Sequence, residues 1–389
     1  MYTALTILWT ISAFIVIWAM AGYPIFLAII QKVFKKQPLK RDASYQPNVT
    51  VMVVAHNEEK VILEKLNNLI SLDYPRDKLE IMVTSDFSTD RTNSIVEDFI
   101  REHPERIIRL HKTVNHGGKT NAQNEAQKFI NSEILIMTDA NCIFRKDAVK
   151  ELVSVFSDSS IAYVCGSTVF TNSLSNATAS SESTYWDLDS KCRDIESRFQ
   201  TITAGDGNIY ACRNAVYEDI PLIECHDSSF PVRFALKGYR AVYQPNAIAY
   251  EKSGENDTDE YKRKVRMNRN LFHNILPSLK ILNIFKYKWF TVFWLGHRTC
   301  RYLLWLAHLL LILISGCLCF SHWFWRITLG LQVVFYLVAI YGRVFNIQNS
   351  RVIKLVTYYA MTVLSQWHGV YNIITGKAKP TWTKAETTR

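Results

Sequence analysis

A chain of 389 residues holds one large domain or two medium ones, so a buried core is within its reach. Its 45 Lys and Arg against 35 Asp and Glu give a formal charge of +10, which suits nucleic acid, an anionic membrane face or a phosphorylated substrate. The distribution of charge points away from nucleic acid, and the eight cysteines include no paired C-x-x-C units, which argues against structural zinc and against disulfides in a reducing compartment.

Residues 1–31 carry no charged side chain, a run longer than the ~20 residues that cross a bilayer. No basic leader or small-residue cleavage site marks it as a secretory signal. Lys32, Lys35, Lys36, Lys40 and Arg41 follow at once. This predicts a transmembrane helix over 1–33 with its N-terminus outside, a basic linker over 34–47, and a cytosolic body.

From residue 48 strands and helices alternate. Val49–Ala55 reads as a strand ending at His56-Asn57-Glu58-Glu59, followed by a helix over 58–71. A strand over 79–83 runs into Thr84-Ser85-Asp86, with a helix at 91–103 and a short strand at 107–110. A helix over 121–131 feeds the apolar strand 134–138, which breaks off at Asp139-Ala140-Asn141. This order predicts a largely parallel sheet with helices on both faces, and such sheets bind ligands at the carboxyl ends of their strands.

Past Asn141 the pattern gives a strand at 162–170 and a polar helix at 181–199 bearing Tyr185 and Trp186. The tight loop Gly205-Asp206-Gly207-Asn208 and strands at 209–213 and 241–244 follow. A basic helix over 260–276 carries Lys262, Arg263, Lys264, Arg266 and Arg269. Residues 275–298 mix Trp, Phe and Lys as an interfacial segment does. Spans are expected at 302–325 and 327–341. A third apolar segment, 355–375, carries Gln366, His368 and Asn372, and its course is left open between a crossing and an interfacial position.

The run His116-Gly117-Gly118-Lys119-Thr120 resembles the end of a P-loop, but Thr113 stands where that motif needs glycine, so the ATPase reading fails. Two glycines and a lysine opposite acidic strand ends still suit a diphosphate. Asp139 is a natural ligand for a hard divalent ion, and Asn141 offers a second oxygen. Asp86 is placed to hold a nucleoside. Asp227, a lone carboxylate in a Ser-rich loop after His226, is the candidate general base. The cations from Lys262 to Arg269 suit a leaving diphosphate. Each signal also has a local reading, Asp139 as a helix cap and Asp86 as the start of an Asx-turn. Their order along the chain is what sets the functional reading apart.

That order resembles the family 2 glycosyltransferases, in the membrane-integrated branch that includes hyaluronan, cellulose and poly-N-acetylglucosamine synthases. The likeness rests on residues 51–59 (VMVVAHNEE), Ser85 to Asp90 against S-D-x-S-T-D, and Gly117 to Ala122 against G-K-x-x-A-L-N. It continues through Asp139-Ala140-Asn141 at the D-x-D position, 205–213 (GDGNIYACR), and His226-Asp227 with Pro231, Arg233 and Gly238-Tyr239. It ends at the tail from Trp382.

The resemblance implies a Rossmann-like, mostly parallel GT-A domain over 48–274 on the cytosolic side of the plasma membrane. An interfacial segment over 275–298, a C-terminal membrane region of two or three spans over 299–376 and a tail over 377–389 complete the chain. It implies inverting transfer from a nucleotide sugar, a UDP-sugar, to a saccharide or lipid-linked acceptor in cell-surface polysaccharide synthesis. Asp227 would be the base, and Ala55, Asn57, Glu58, Asp86, Lys119, Asp139, Lys264 and Arg266 would line the donor. Gly205, Asp206, Gly207, His226 and Met267 would face the acceptor. Asp139, with Asn141 as a weaker second ligand, would hold Mg²⁺ or Mn²⁺. The bilayer is an implied partner, and an accessory membrane subunit is compatible with the resemblance.

Three positions depart from the pattern. Asn141 replaces the second acid of D-x-D, and His226 replaces the acid before the base. Met267 stands where Q-x-x-R-W has its sugar-stacking Trp, which favours single-sugar transfer over processive polymerisation. The rival readings are a membrane nucleotidyltransferase, which would release pyrophosphate from a nucleoside triphosphate, and a silent membrane scaffold.

Overall fold

The computed structural model describes residues 1–172, 177–252, 257–345, 347 and 350–381. The side chains of Tyr185 and Trp186 and the tail from Trp382 lie outside the described residues.

Among the described residues, eight strands form one sheet: β1 (Val49–Ala55), β2 (Leu79–Ser85), β3 (Ile107–Lys112), β4 (Ile134–Asp139), β5 (Ile143–Phe144), β6 (Ile161–Phe170), β7 (Tyr210–Arg213) and β8 (Arg240–Glu251), in the order β3-β2-β1-β4-β7-β6-β8-β5. Strands β1 to β4 pair in parallel, β7 runs against β4 and β6, and β8 is parallel to β6 and antiparallel to β5. All strands except β5 and β7 therefore point the same way.

The register decides where the site lies. Ala55 pairs with Ser85 and Val54 with Asp139, so β1, β2 and β4 stop at one level. Because β7 is antiparallel to β4, with Tyr210 opposite Met137, the loop before β7 arrives at the same edge. The end of β8 also arrives there, since Glu251 pairs with Phe170 on the parallel β6.

Alternation along the strands builds a core on each face. Val51 and Val53 pack with Ile62, Leu66, Val96 and Phe99, whereas Met52 and Val54 pack with Met137, Tyr163, Tyr210 and Phe230. The helices covering the faces are α3 (Ile62–Ile70), α4 (Thr92–Glu102), α5 (Lys119–Gln127), α6 (Ala148–Ser154), α7 (Ala177–Phe199) and α8 (His226–Leu236), with α1 (Tyr2–Ile17) and α2 (Tyr23–Val33) ahead of them.

Two elements differ from expectation. The strand expected at 241–244 is the twelve-residue β8, because the chain passes Pro245 with a shift of register against β6 and resumes pairing. The basic helix expected at 260–276 is α9 (Asp257–Met267), a 3₁₀ turn at Asn268–Asn270 and a short helix at Leu271–Ile275.

Among the described residues, two helices are long and apolar enough to cross a membrane, Tyr2–Val33 and Trp323–Val344. The pair Trp289–Tyr302 and Leu304–Leu318 also passes when joined, bent by 58°. The last helix, Arg351–Ile374, turns a polar stripe toward its neighbours. The Tyr358 hydroxyl donates to Glu260 (3.2 Å), the Asn268 amide to Ser365 (3.2 Å) and the Gln366 amide to the Arg301 carbonyl (2.9 Å). Of the polar residues that leave this segment's course open in the sequence, Gln366 is placed by its bond to Arg301, and His368 Nδ1 lies 3.2 Å from the Tyr261 hydroxyl.

Candidate active site

The turns after β1 and β2 are stitched together. Asn57 has φ of +55°, a left-handed conformation that asparagine tolerates, and its side-chain oxygen accepts the N–H groups of Thr89 (2.7 Å) and Asp90 (3.3 Å). The N–H of the buried Glu58 donates to the Thr92 hydroxyl at 2.8 Å. The side chain of Ala55 is buried in the sheet, and its carbonyl accepts the Asp86 N–H at 2.8 Å.

Asp86 is fully buried and its carboxylate shapes the glycine turn. Gly117 and Gly118 each donate a backbone N–H to it at 3.0 Å, and His116 Nδ1 lies 2.9 Å from Oδ2. Gly118 has φ of +88°, a conformation that glycine adopts without strain. His56 Nδ1 lies 2.6 Å from the Asp86 carbonyl and its ring stacks on His116 with centroids 4.1 Å apart. His56, Asp86 and His116 present ligand atoms within 4.8 Å of one another.

Lys119 opens α5 directly after this turn. Its ammonium is hydrogen-bonded to the Asp139 carboxylate and, at 3.2 Å, to the Gly207 carbonyl. A Cβ placed on Gly207 would lie 3.7 Å from Asp227 Oδ2 and 3.9 Å from Lys119 Nζ, so Asp227, Lys119 and Asp139 share one crevice. The Asp227 carbonyl accepts the Gly205 N–H at 2.8 Å. Only glycine fits at 205, since a Cβ there would meet the Tyr163 hydroxyl at 1.7 Å. The buried Asp206 accepts the N–H of Asn208 at 3.1 Å, which closes the loop.

Burial raises the Asp227 pKa above the ordinary carboxylate value; Lys119 opposes this, and Asp206 and Asp139 add to it. Burial works against the charge on Lys119, but Asp139 and Asp227 outweigh it and hold its pKa above that of an ordinary lysine. The crevice thus pairs a persistent cation with a carboxylate reluctant to ionise.

Arg266 lies within electrostatic reach of Cys225 and Asp139; burial lowers its pKa, with the charges of Arg263 and Arg269 acting in the same direction. Lys264 is turned elsewhere, 3.5 Å from Glu260 and 4.4 Å from the centre of the Tyr358 ring. Met267 is exposed at the end of α9. His226, expected to face the acceptor, is buried instead. Its Nε2 lies 2.7 Å from the Tyr217 hydroxyl and 3.0 Å from Asn124 Oδ1. Burial, with Lys119 and Arg233 adding, lowers its pKa to about 3, so it is a neutral packing residue behind the crevice.

Glu251, at the end of β8, was not singled out from the sequence. It accepts the side-chain amides of Asn141 (3.1 Å) and Asn208 (2.6 Å), and burial, helped by Asp139, raises its pKa to about 7. The signal for it was indirect: an asparagine at an acidic motif position needs an acceptor for its NH₂. Asn141 gives that group to Glu251, which lies within electrostatic reach of Asp139, so the oxygens of Asp139, Asn141 and Glu251 are the donors of this corner. Such all-oxygen donors fit Mg²⁺ or Mn²⁺. Beneath the same loop, the fully buried Lys65 donates to Thr138 Oγ1 (3.0 Å) and to the Cys142 carbonyl (2.5 Å).

A glycine turn, a lysine and carboxylates gathered at the carboxyl edge of a sheet of this topology define a GT-A glycosyltransferase that uses a nucleotide-sugar donor. Residues 50–220 match the family described as "Glycosyl transferase family 2". It is 26% identical over 291 residues to "Probable glycosyltransferase YdaM" of Bacillus subtilis, covering 72% of this chain and 67% of the relative. It is 33% identical over 148 residues to the beta-monoglucosyldiacylglycerol synthase of Synechocystis, but this covers 36% of the chain and only 30% of the synthase. The fold is that of the mannosyltransferase PcManGT from Pyrobaculum calidifontis, solved with GDP-Man and Mn²⁺. The TM-score is 0.73 at 21% identity, over 95% of this chain and 99% of that one.

Proposed function

We propose that the chain is an inverting membrane glycosyltransferase. It moves a sugar from a UDP-sugar to a saccharide or lipid-linked acceptor at the cytosolic face of the plasma membrane, in the synthesis of cell-surface polysaccharide. In this reading residues 48–274 are the catalytic domain. Residues 1–33 and 299–376 are its membrane parts, joined through the linker 34–47 and the interfacial segment 275–298, with the tail 377–389 at the cytosolic side. The observation that carries the reading is the meeting of Lys119, Asp139 and Asp227 in one crevice, beside a glycine turn organised by Asp86.

Asp227 takes the proton of the acceptor hydroxyl while that oxygen attacks the anomeric carbon in line. The bond from that carbon to the diphosphate oxygen breaks, and Lys119 and Arg266 balance the charge that develops on the leaving group. Asp139, Asn141 and Glu251 would hold a divalent ion, which supplies further positive charge to the diphosphate. Ala55, Asn57 and Glu58 contribute through the backbone turn that frames the nucleoside.

The replacement of the stacking Trp by an exposed Met267 favours transfer of a single sugar over polymerisation. The decisive experiment offers the purified protein a panel of UDP- and GDP-sugars, measures nucleoside diphosphate release, and sizes the product. Release with one UDP-sugar and a product longer by one residue is expected. Preference for a GDP-sugar would reassign the donor, and pyrophosphate release from a nucleoside triphosphate would overturn the reaction class.

A further inference from the structure

Outside the crevice, a second buried charged cluster lies under α7. Asp189 and Glu196 are both buried on that helix. Asp189 accepts from Arg193 (2.5 Å) and Arg301 (2.8 Å), with His297 Nε2 at 3.2 Å. Glu196 Oε1 lies 2.6 Å from the Tyr23 hydroxyl and 2.7 Å from His297 Nδ1, while Oε2 accepts the backbone N–H of Thr203 at 3.1 Å.

The donors come from different places. Arg193 belongs to α7 itself, whereas Tyr23 lies on the Tyr2–Val33 helix and His297 and Arg301 on Trp289–Tyr302, both among the candidate membrane segments. A buried carboxylate without donors is strongly unfavourable, so α7 cannot keep both acids inside unless those segments are docked against it. Stacking of Tyr23 on His297 at 4.9 Å and a hydrogen bond from Trp18 Nε1 to the Gly296 carbonyl (3.1 Å) fix the two segments to each other. From Glu196 the connection continues through Thr203 to Gly205, whose N–H is bonded to the Asp227 carbonyl.

We propose that Glu196 is a positioning residue for the Asp227 site, and that Tyr23 and His297, by holding Glu196, make the 203–207 loop depend on the docking of the membrane segments. The proposal rests on the reading of Asp227 as the base. It implies that the enzyme assembles its acceptor side only when anchored, while the donor side, built on β1, β2, β4 and α5, forms independently.

The test uses the full chain in lipid nanodiscs with Tyr23→Phe and, separately, His297→Asn. Hydrogen exchange of the Thr203 and Gly205 amides is followed beside that of 117–127, with donor binding and transfer kinetics measured on the same samples. At least tenfold faster exchange at Thr203 and Gly205 is expected. Transfer should fall at least fivefold in kcat or rise as much in acceptor KM, and donor affinity and exchange over 117–127 should stay within twofold. Unchanged exchange at Thr203 and Gly205 in both variants overturns the proposal, as does loss of donor affinity as large as the loss of transfer. If the unaltered enzyme releases nucleotide from no sugar donor and the two amides still respond, the glycosyl-transfer reading falls and the link from membrane segments to loop stands.

Discussion

Asp227 is held between opposing influences. Burial raises its pKa, and the Lys119 ammonium limits the rise. A carboxyl whose folded pKa exceeds its unfolded value favours the fold in its protonated form. Stability therefore falls as pH rises through that interval and stays lower above it. Asp227→Asn removes the ionised form; it should lower turnover by about 10²–10⁴-fold, leave donor affinity unchanged and raise the melting temperature. Turnover assays, donor titration and thermal scans check the three parts, and a fully active variant would rule Asp227 out as the base. The same balance sets the pH profile. Transfer should decline on the acid side at a pH above the ordinary aspartate range, because the base must be ionised. Lys119→Met removes the opposing charge, so the acid limb of kcat/KM should move to higher pH as well as the rate falling. A limb that stays in place or moves down would show that Lys119 does not act on Asp227.

At the scale of elements, the site is a set of turns held by a few backbone contacts. Gly118 combines φ of +88° with two neighbours: its N–H binds Asp86, and a Cβ would lie 2.8 Å from the Pro380 carbonyl. Gly118→Ala should destabilise the protein by about 1–3 kcal/mol from its backbone conformation alone, since φ of +88° with ψ of 171° is a region essentially confined to glycine. It should also raise the donor KM, since the Asp86 turn must open; thermal melts and donor kinetics report both. Glu251→Ala removes the acceptor of the Asn141 and Asn208 amides, and two deprived donors at about 1–3 kcal/mol each should lower the melting temperature. Mn²⁺ titration followed by electron paramagnetic resonance should show weaker binding. Unchanged binding would place the ion away from this corner. The elements also show why Glu251 was hidden. The sequence pattern ends the strand at Pro245, whereas β8 continues beyond a bulge to deliver the carboxylate to the common edge.

At the scale of the whole molecule, the sheet-bearing part of the chain and the candidate membrane helices share buried polar contacts. Asp189 and Glu196 take donors from Tyr23, His297 and Arg301, and Glu260 on α9 takes one from Tyr358 of the last helix. A fragment spanning 34–274 lacks all four of those donors. It should express as aggregated or partly folded protein even though its sheet is complete, which sedimentation and near-ultraviolet circular dichroism would reveal. A soluble, cooperative fragment would show that the acids tolerate water in place of their partners.

The sequence alone determined what is local. Apolar runs such as Ile134 to Met137 ending in Asp139, the glycines before Lys119 and the uncharged first 31 residues follow from chain chemistry and nearest-neighbour periodicity. Those signals sufficed for the sheet's leading half, for the likeness to the family 2 glycosyltransferases and for setting Lys119 opposite the acid that ends β4. Tertiary structure decided the rest. It turned His226 inward to Tyr217 and Asn124, set Lys264 on Glu260, and brought Glu251 to Asn141 across an interval of 110 residues. A side chain's direction and its distant partner depend on register, bulges and helix docking. None of these leaves a periodic mark in a single sequence.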